Sequence, residues 1–217
     1  WILQHNCLKY NSLLVNSSDL YSFFSKLENF KYIVVVDTEF KGQQDEGLLN
    51  DPICVVFDEI VNDKQHIFTG KKWKLPYPSK DTIYICHNAI AEAHTFLAAG
   101  NKLPEFWWDT FIEDKKLYFG KVDKHSLLAA CGRYGIQTIS EDLKKYFINK
   151  IILANETYTD EQLQTIVNYC KSDVKANKEL FLKQIKDIEK TRNLDGPQMV
   201  ISQALFSGAA VAYTAQV

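Results

Sequence analysis

Along this 217-residue chain, short apolar runs come first and helical periodicity follows. Residues 32–40 (YIVVVDTEF), 52–60 (PICVVFDEI), 65–70 (QHIFTG) and 82–87 (TIYICH) are rich in β-branched and aromatic residues, and each predicts a strand. The first three follow one another through short polar links, which predicts antiparallel neighbours. Four consecutive apolar residues, Ile33 to Val36, have the pattern of a strand buried on both faces. From residue 88 the period changes. Asn88 to Ala99 is alanine-rich and stops at Gly100, and 109–118, 126–134 and 140–146 are shorter helical candidates. The longest helix begins at Thr159-Asp-Glu-Gln162, a capping box, and carries an apolar stripe at Leu163, Ile166, Val167, Cys170, Val174 and Phe181. A few strands followed by many helices predict an α/β or α+β layer domain, with helices packed on a mixed sheet.

Two carboxylates break the apolar pattern. Asp37 and Glu39 close the first run, and alternate residues of a strand share a face, so they stand roughly 6.5 Å apart along the chain on one side. Like charges at the edge of a core persist only with something cationic between them. On the long helix, Tyr169 and Asp173 are four residues apart and stack at the edge of the apolar stripe. Taken alone, Asp173 reads as an ordinary exposed helix charge.

Three features in order change that reading: Asp37-Thr-Glu39 ending a strand, His87-Asn88-Ala-Ile-Ala-Glu92 opening a helix, and Tyr169-Cys-Lys-Ser-Asp173 on a late helix. Together they resemble the DEDD superfamily of 3′–5′ exonucleases. The tyrosine four residues before the last acid marks the DEDDy branch; the sister branch has histidine five before it, where Asn168 stands here. The resemblance covers roughly residues 30–190, and DTF (109–111) and SLLAACGRYGI (126–136) look like the family's intervening helices. The stretch ALFSGAAVAY (204–213) is similar to the segment just after the exonuclease in some phage-type family A DNA polymerases.

The resemblance implies an RNase H-like α/β fold, a mixed β-sheet with its first three strands antiparallel and helices on its flanks. It implies an exonuclease domain over residues 1–192, with 1–29 as an extension, then a linker and the start of a polymerase-type helical segment over 193–217. The implied activity is proofreading, with nucleoside 5′-monophosphates released from the single-stranded 3′ end of DNA. An RNA-directed enzyme resembling ribonuclease D would share every metal ligand, and a binding scaffold with weakened chemistry is the alternative from another class.

By the same resemblance, Asp37, Glu39, Glu92 and Asp173 would hold two Mg²⁺ or Mn²⁺ ions, with Asp37 bridging, and Tyr169 would orient the attacking water. Beside the motifs, Phe40 divides between stacking on an unpaired base and core packing, and Asn88 is a candidate to orient the strand end or contact the substrate. The chemistry is consistent with this. Two divalent ions about 4 Å apart activate water, hold a phosphate and stabilise the leaving oxygen, and hard ions choose carboxylate oxygens. The family usually has aspartate where this chain has Glu92, one methylene longer. Asp109 is the other candidate acid, with helix capping as its competing role. His87 reads as packed or hydrogen-bonded rather than as a ligand. Trp107 and Trp108 divide between base stacking and core packing.

Composition narrows the setting. Apolar residues at 46% and aromatics at 13% exclude disorder. The five cysteines (Cys7, Cys54, Cys86, Cys131 and Cys170) form no CxxC pair and read as small buried hydrophobes in a reducing compartment, such as the cytoplasm of a bacterial or phage-infected cell. No basic-apolar leader suggests secretion, and a chain starting at Trp1 reads as a piece of something longer. The net charge of −2 does not advertise a polyanion partner, although committing four acids to cations would turn the balance positive. Lysines cluster at 71, 72 and 74, at 115, 116, 121 and 124, and at 144, 145 and 150. The uncharged stretch 198–217 carries three glutamines, so a helix packing against a further domain is expected there and a membrane span is not.

Overall fold

The computed structural model describes residues 30–41, 49–118 and 120–192. The expected extension over 1–29 and the linker and helical segment over 193–217 lie outside these residues. Five strands form one sheet: β1 (Tyr32–Lys41), β2 (Asp51–Glu59), β3 (Lys64–Thr69), β4 (Thr82–Cys86) and β5 (Phe106–Asp109), in the order β3-β2-β1-β4-β5. The pairs β1–β2 and β2–β3 are antiparallel, while β1–β4 and β4–β5 are parallel. The helices are α1 (Ala89–Ala98), α2 (Thr110–Tyr118), α3 (Leu127–Arg133), α4 (Glu141–Phe147) and α5 (Asp160–Arg192). A π-helical turn, Ile148–Ile152, continues α4. Among the described residues, no helix is long and apolar enough to cross a membrane.

Alternation along the central strands sorts the core into two layers. Ile33 and Val35 of β1 join Ile83 and Ile85 of β4 against Ile166, Cys170, Val174 and Phe181 of α5. Val34 and Val36 face the other way, toward Tyr84, Ala89, Ala93 and Phe96, the last three from α1. Each fully buried Val, Ile or Phe side chain contributes about 1.5–3 kcal/mol, so the sheet is fixed from both sides. The expected capping box opens α5: the Thr159 N–H donates to Gln162 Oε1 at 2.9 Å and the Gln162 N–H to Thr159 Oγ1 at 3.2 Å. Lys178 of α5 pairs with Asp58 of β2 at 2.9 Å across this layer. The described cysteines, Cys54, Cys86, Cys131 and Cys170, are buried and unbridged.

One strand is new. β5 was not expected, because its four residues, FWWD, are too short to show a period and run directly into a helix. Trp107 and Trp108 are 1% and 0% exposed, one in each core layer, so both are packing residues and not base-stacking platforms.

Asp109, the last residue of β5, closes two helices. Its Oδ1 accepts from the N–H groups of Asn88 at 2.9 Å, Phe111 at 2.9 Å and Ile112 at 3.4 Å, and its Oδ2 from Ala89 at 2.8 Å. One carboxylate therefore satisfies the starts of both α1 and α2. Asp109→Ala should lower stability by about 2–4 kcal/mol, read as a lower urea midpoint at unchanged slope. Asp109→Asn, which keeps one acceptor oxygen, should fall between. An unchanged midpoint in Asp109→Ala would mean that the two helix ends hold without it.

Candidate active site

The site begins where the sheet runs out of one strand. β1 pairs with parallel β4 only from Tyr32 to Val35, whereas its antiparallel pairing with β2 continues to Lys41. Beyond Val35 one edge of β1 has lost its β4 partner, past the C-terminal end of a parallel strand, where α/β sheets commonly take ligands. Asp37 and Glu39 stand on that stretch. They lie inside β1 and not at its end, because β2 carries the pairing on; a register shift between Glu39 and Phe40 then bends the strand.

Parity with Ile33 and Val35 turns both acids toward α5. There Tyr169 and Asp173 are each 8% exposed, so Asp173 is not the solvated helix charge that it resembles in isolation. The Cys170 sulfur, together with one oxygen each of Asp37 and Glu39, lies within a 4.8 Å group, and the thiol donates to the Asp37 backbone carbonyl at 3.2 Å. The helical period places Cys170 in the stripe but gives no sign that it borders two carboxylates.

Glu92 arrives from the opposite layer, in the first turn of α1, and is 2% exposed. The layers meet past the end of β4, close enough for the charge of Asp37 to raise the pKa of Glu92 after burial has done so. Asp37 and Glu39 are half-buried as whole residues, yet Asp37 Oδ2 is buried outright with no hydrogen-bond partner, and so is Glu92 Oε2. Burial, then the charge of Asp173, pushes the Asp37 carboxyl up to about 7. Burial, then Asp37, holds Glu39 well above the carboxylate range. Buried oxygens without donors, on acids that resist ionising together, fit a bound cation of high charge density. The thiol adds a soft donor that a hard ion does not need.

α4 completes the wall. Lys144 Nζ lies 3.3 Å from Asp173 Oδ2 and 5.6 Å from the centre of the Tyr169 ring. Phe147 stacks on Tyr169 with centroids 4.5 Å apart. The Tyr169 hydroxyl is buried without a well-formed hydrogen bond, and burial, followed by Asp173, raises its pKa further above the phenol range.

The remaining candidates sit around this cage. Phe40 is half-buried beside the bend in β1. Asn88 is exposed, takes a left-handed backbone (φ 76°) just before α1 and makes no capping bond with its side chain. His87 is packed: Nε2 lies 3.0 Å from the His125 carbonyl and Nδ1 2.9 Å from Thr110 Oγ1. A carbonyl only accepts, so Nε2 carries the proton and donates to it. Burial pushes the His87 pKa down to about 4, which keeps the ring neutral. Asp109, with both oxygens engaged by backbone, is a cap.

No protein-family model matches this sequence, and none of the curated proteins matches it. Solved structures do. NrnC of Brucella melitensis with bound Mg²⁺ aligns with a TM-score of 0.56 at 20% identity, over 88% of this chain and 87% of that one. The same protein bound to pGG gives 0.54 at 19% identity over the same shares. Escherichia coli RNase D, an exoribonuclease involved in structured RNA processing, gives 0.56 at 13% identity over 93% of this chain and 49% of that one. This chain thus matches about half the length of RNase D. These likenesses show the fold: a five-stranded mixed sheet flanked by helices, similar to nuclease folds of the RNase H-like type.

The crowded acids make stability depend on pH. Asp37, Glu39 and Glu92 have folded pKa values above their ordinary ones, so the folded protein without metal binds more protons than the unfolded chain. The stability they contribute is full below the ordinary carboxylate pKa and is lost as pH rises above it, for Asp37 through about 7. His87, whose pKa is lowered, gives the opposite slope below its ordinary 6.5. In chelator, Tm should therefore fall from about pH 6.5 to 8, and Asp37→Asn should flatten that fall. A Tm that rises across this window in the wild type would contradict the crowding.

Proposed function

We propose that this chain is a metal-dependent 3′–5′ exonuclease of the DEDDy branch, releasing nucleoside 5′-monophosphates one at a time from a single-stranded 3′ end. The observation that supports it most is the crowding of Asp37, Glu39 and Asp173 beside Tyr169, with Glu92 reaching Asp37 from α1 and two of these acids' oxygens buried without donors. NrnC carries Mg²⁺ and pGG on the same fold, and RNase D is an exoribonuclease, which supports the reading.

Two Mg²⁺ or Mn²⁺ ions, when bound, would supply an activated water, a hold on the scissile phosphate and charge compensation for the leaving oxygen. Asp37, Glu39 and Asp173 would hold these ions from the β1 and α5 side, and Glu92 from α1. The Tyr169 phenol keeps its proton and serves to orient water, not to deprotonate it. Its ring is held by Phe147. Asn88 and Phe40, at the rim, would contact the terminal nucleotide.

Two substrates share this site. In the DNA reading, the domain proofreads for a polymerase of the phage family A type; it rests on the sequence motifs and on residues 204–213, which lie outside the described residues. The RNA reading is favoured by the likeness to RNase D. An RNA enzyme gains from a contact to the 2′-hydroxyl and a DNA enzyme does not, so single strands of one sequence in both sugars separate them.

With Mg²⁺ or Mn²⁺, a 5′-labelled single strand should shorten in one-nucleotide steps, and a chelator should stop it. Asp37→Ala and Asp173→Ala should abolish mononucleotide release while leaving circular dichroism unchanged. Tyr169→Phe should slow turnover by about one to three orders of magnitude, less than loss of a ligand. Near-full activity in either alanine variant would remove that residue from the metal site.

Glu92→Gln should cut activity about a hundredfold or more, and Glu92→Asp should be much milder. The extra methylene adds about 1.3 Å of reach, which lets Glu92 act from α1 where aspartate would stand closer. A silent Glu92→Gln would mean that the second ion is held without it.

A further inference from the structure

We infer that Lys144 is a built-in counter-ion of the carboxylate cage: its ammonium pairs with Asp173 while divalent ions are absent, yields to them, and turns to the phosphates of the substrate strand. The inference rests on the exonuclease reading and adds a residue that the three motifs do not contain.

The geometry places Lys144 where a cation is needed. Its Nζ is 3.3 Å from Asp173 Oδ2 and 5.6 Å from the centre of the Tyr169 ring, between the last acid of the motif and the tyrosine that precedes it by one helical turn. Its positive charge also reaches Asp37 and Glu39, where it opposes the rise in pKa caused by burial. Among the described residues, Lys144 is the cation that ion-pairs with this cage. Other nearby lysines are engaged elsewhere: Lys178 with Asp58, and Lys41 with the Asn155 carbonyl.

One ammonium cannot satisfy four carboxylates. Asp37 Oδ2 and Glu92 Oε2 remain buried without donors. Lys144 therefore relieves the α5 side and leaves the rest of the cage open to a cation of higher charge. An ion held by Asp173 would stand within a few ångströms of Nζ, and two positive charges at that distance repel strongly in a partly dry crevice. The ammonium must then leave.

It has room to do so. The Lys144 side chain is 34% exposed, against 11% for Asp173, so it reaches into the cage from the solvent side. It rides on a seven-residue helix that continues as a π-helical turn, a local geometry frequent at functional sites. Released at the mouth, a lysine is a mobile point charge suited to phosphate oxygens. In this role it is a positioning residue: it keeps the cage assembled without metal and receives the strand once metal is bound.

An ordinary structural ion pair predicts something different. Removing it would weaken the fold and leave the affinity for divalent ions the same or lower. The counter-ion role predicts that removing the ammonium tightens metal binding, because a competitor has gone.

The test uses the full chain and Mn²⁺ alone, titrated calorimetrically at low ionic strength. Lys144→Gln should bind Mn²⁺ roughly tenfold more tightly than the wild type, within the usual range of coupling between two sites. Lys144→Arg, which keeps the charge, should stay near wild type and controls for a change in folding. With a saturating metal concentration, Lys144→Gln should raise KM for a single-stranded oligonucleotide about tenfold and alter kcat less. Unchanged or weaker Mn²⁺ binding in a folded Lys144→Gln overturns the inference. Asp37→Ala distinguishes the two levels: if it loses Mn²⁺ while Lys144→Gln matches wild type, only the role of Lys144 falls. If Asp37→Ala binds Mn²⁺ as well as wild type does, the site itself is misread and the inference falls with it.

Discussion

Carboxylates crowded into a crevice of low dielectric repel one another, and each resists ionising while the others carry charge. This fold forces them together regardless. β1 brings two because Ile33 to Val36 are clamped between two apolar layers and leave the strand no freedom to slide. A one-residue slip would turn Asp37 and Glu39 to the other face and expose the whole apolar set with them. α1 and α5 bring one acid each from opposite sides of the sheet, and they meet because β4 stops short. The hydrophobic core thus holds the acids against their own repulsion. The strain is local, and the buried oxygens without donors mark it.

How much of this could be read from residue order depends on the range of the interaction. The run at 32–40 and the capping box at Thr159 and Gln162 are local statements, and the structure contains both. That β1 runs on past its β4 partner beside Asp37 and Glu39 was not legible, since only the unequal lengths of β2 and β4 pairing decide it. β5 escaped for want of length: four residues buried on both faces carry no alternation. Cys170 and Lys144 escaped for another reason. A helical period tells which face a residue shares, but not what stands opposite, and Lys144 meets Asp173 across 29 positions of sequence.

The likeness to NrnC and RNase D, at 20% identity and below, speaks for a shared arrangement of strands and helices. Chemistry has to be argued from the side chains. Here they argue with some economy: the same α5 turn that presents Tyr169 and Asp173 to the acids of β1 also receives Phe147 and Lys144 from α4. α4 is therefore part of the site although it contributes nothing to the recognised motifs.

The double cap made by Asp109 has a consequence for how an anion could be held. The start of a helix, with its free N–H groups and the positive end of its dipole, is a ready socket for phosphate. Two such sockets open near the end of β4 and β5, at α1 and α2, and one internal carboxylate plugs both. Backbone dipoles at these two ends are spent on the protein's own acid. For a nuclease of the proposed kind, attraction to the phosphate chain then falls to mobile and exchangeable positive charge, so grip on the substrate rises and falls with the supply of divalent ions.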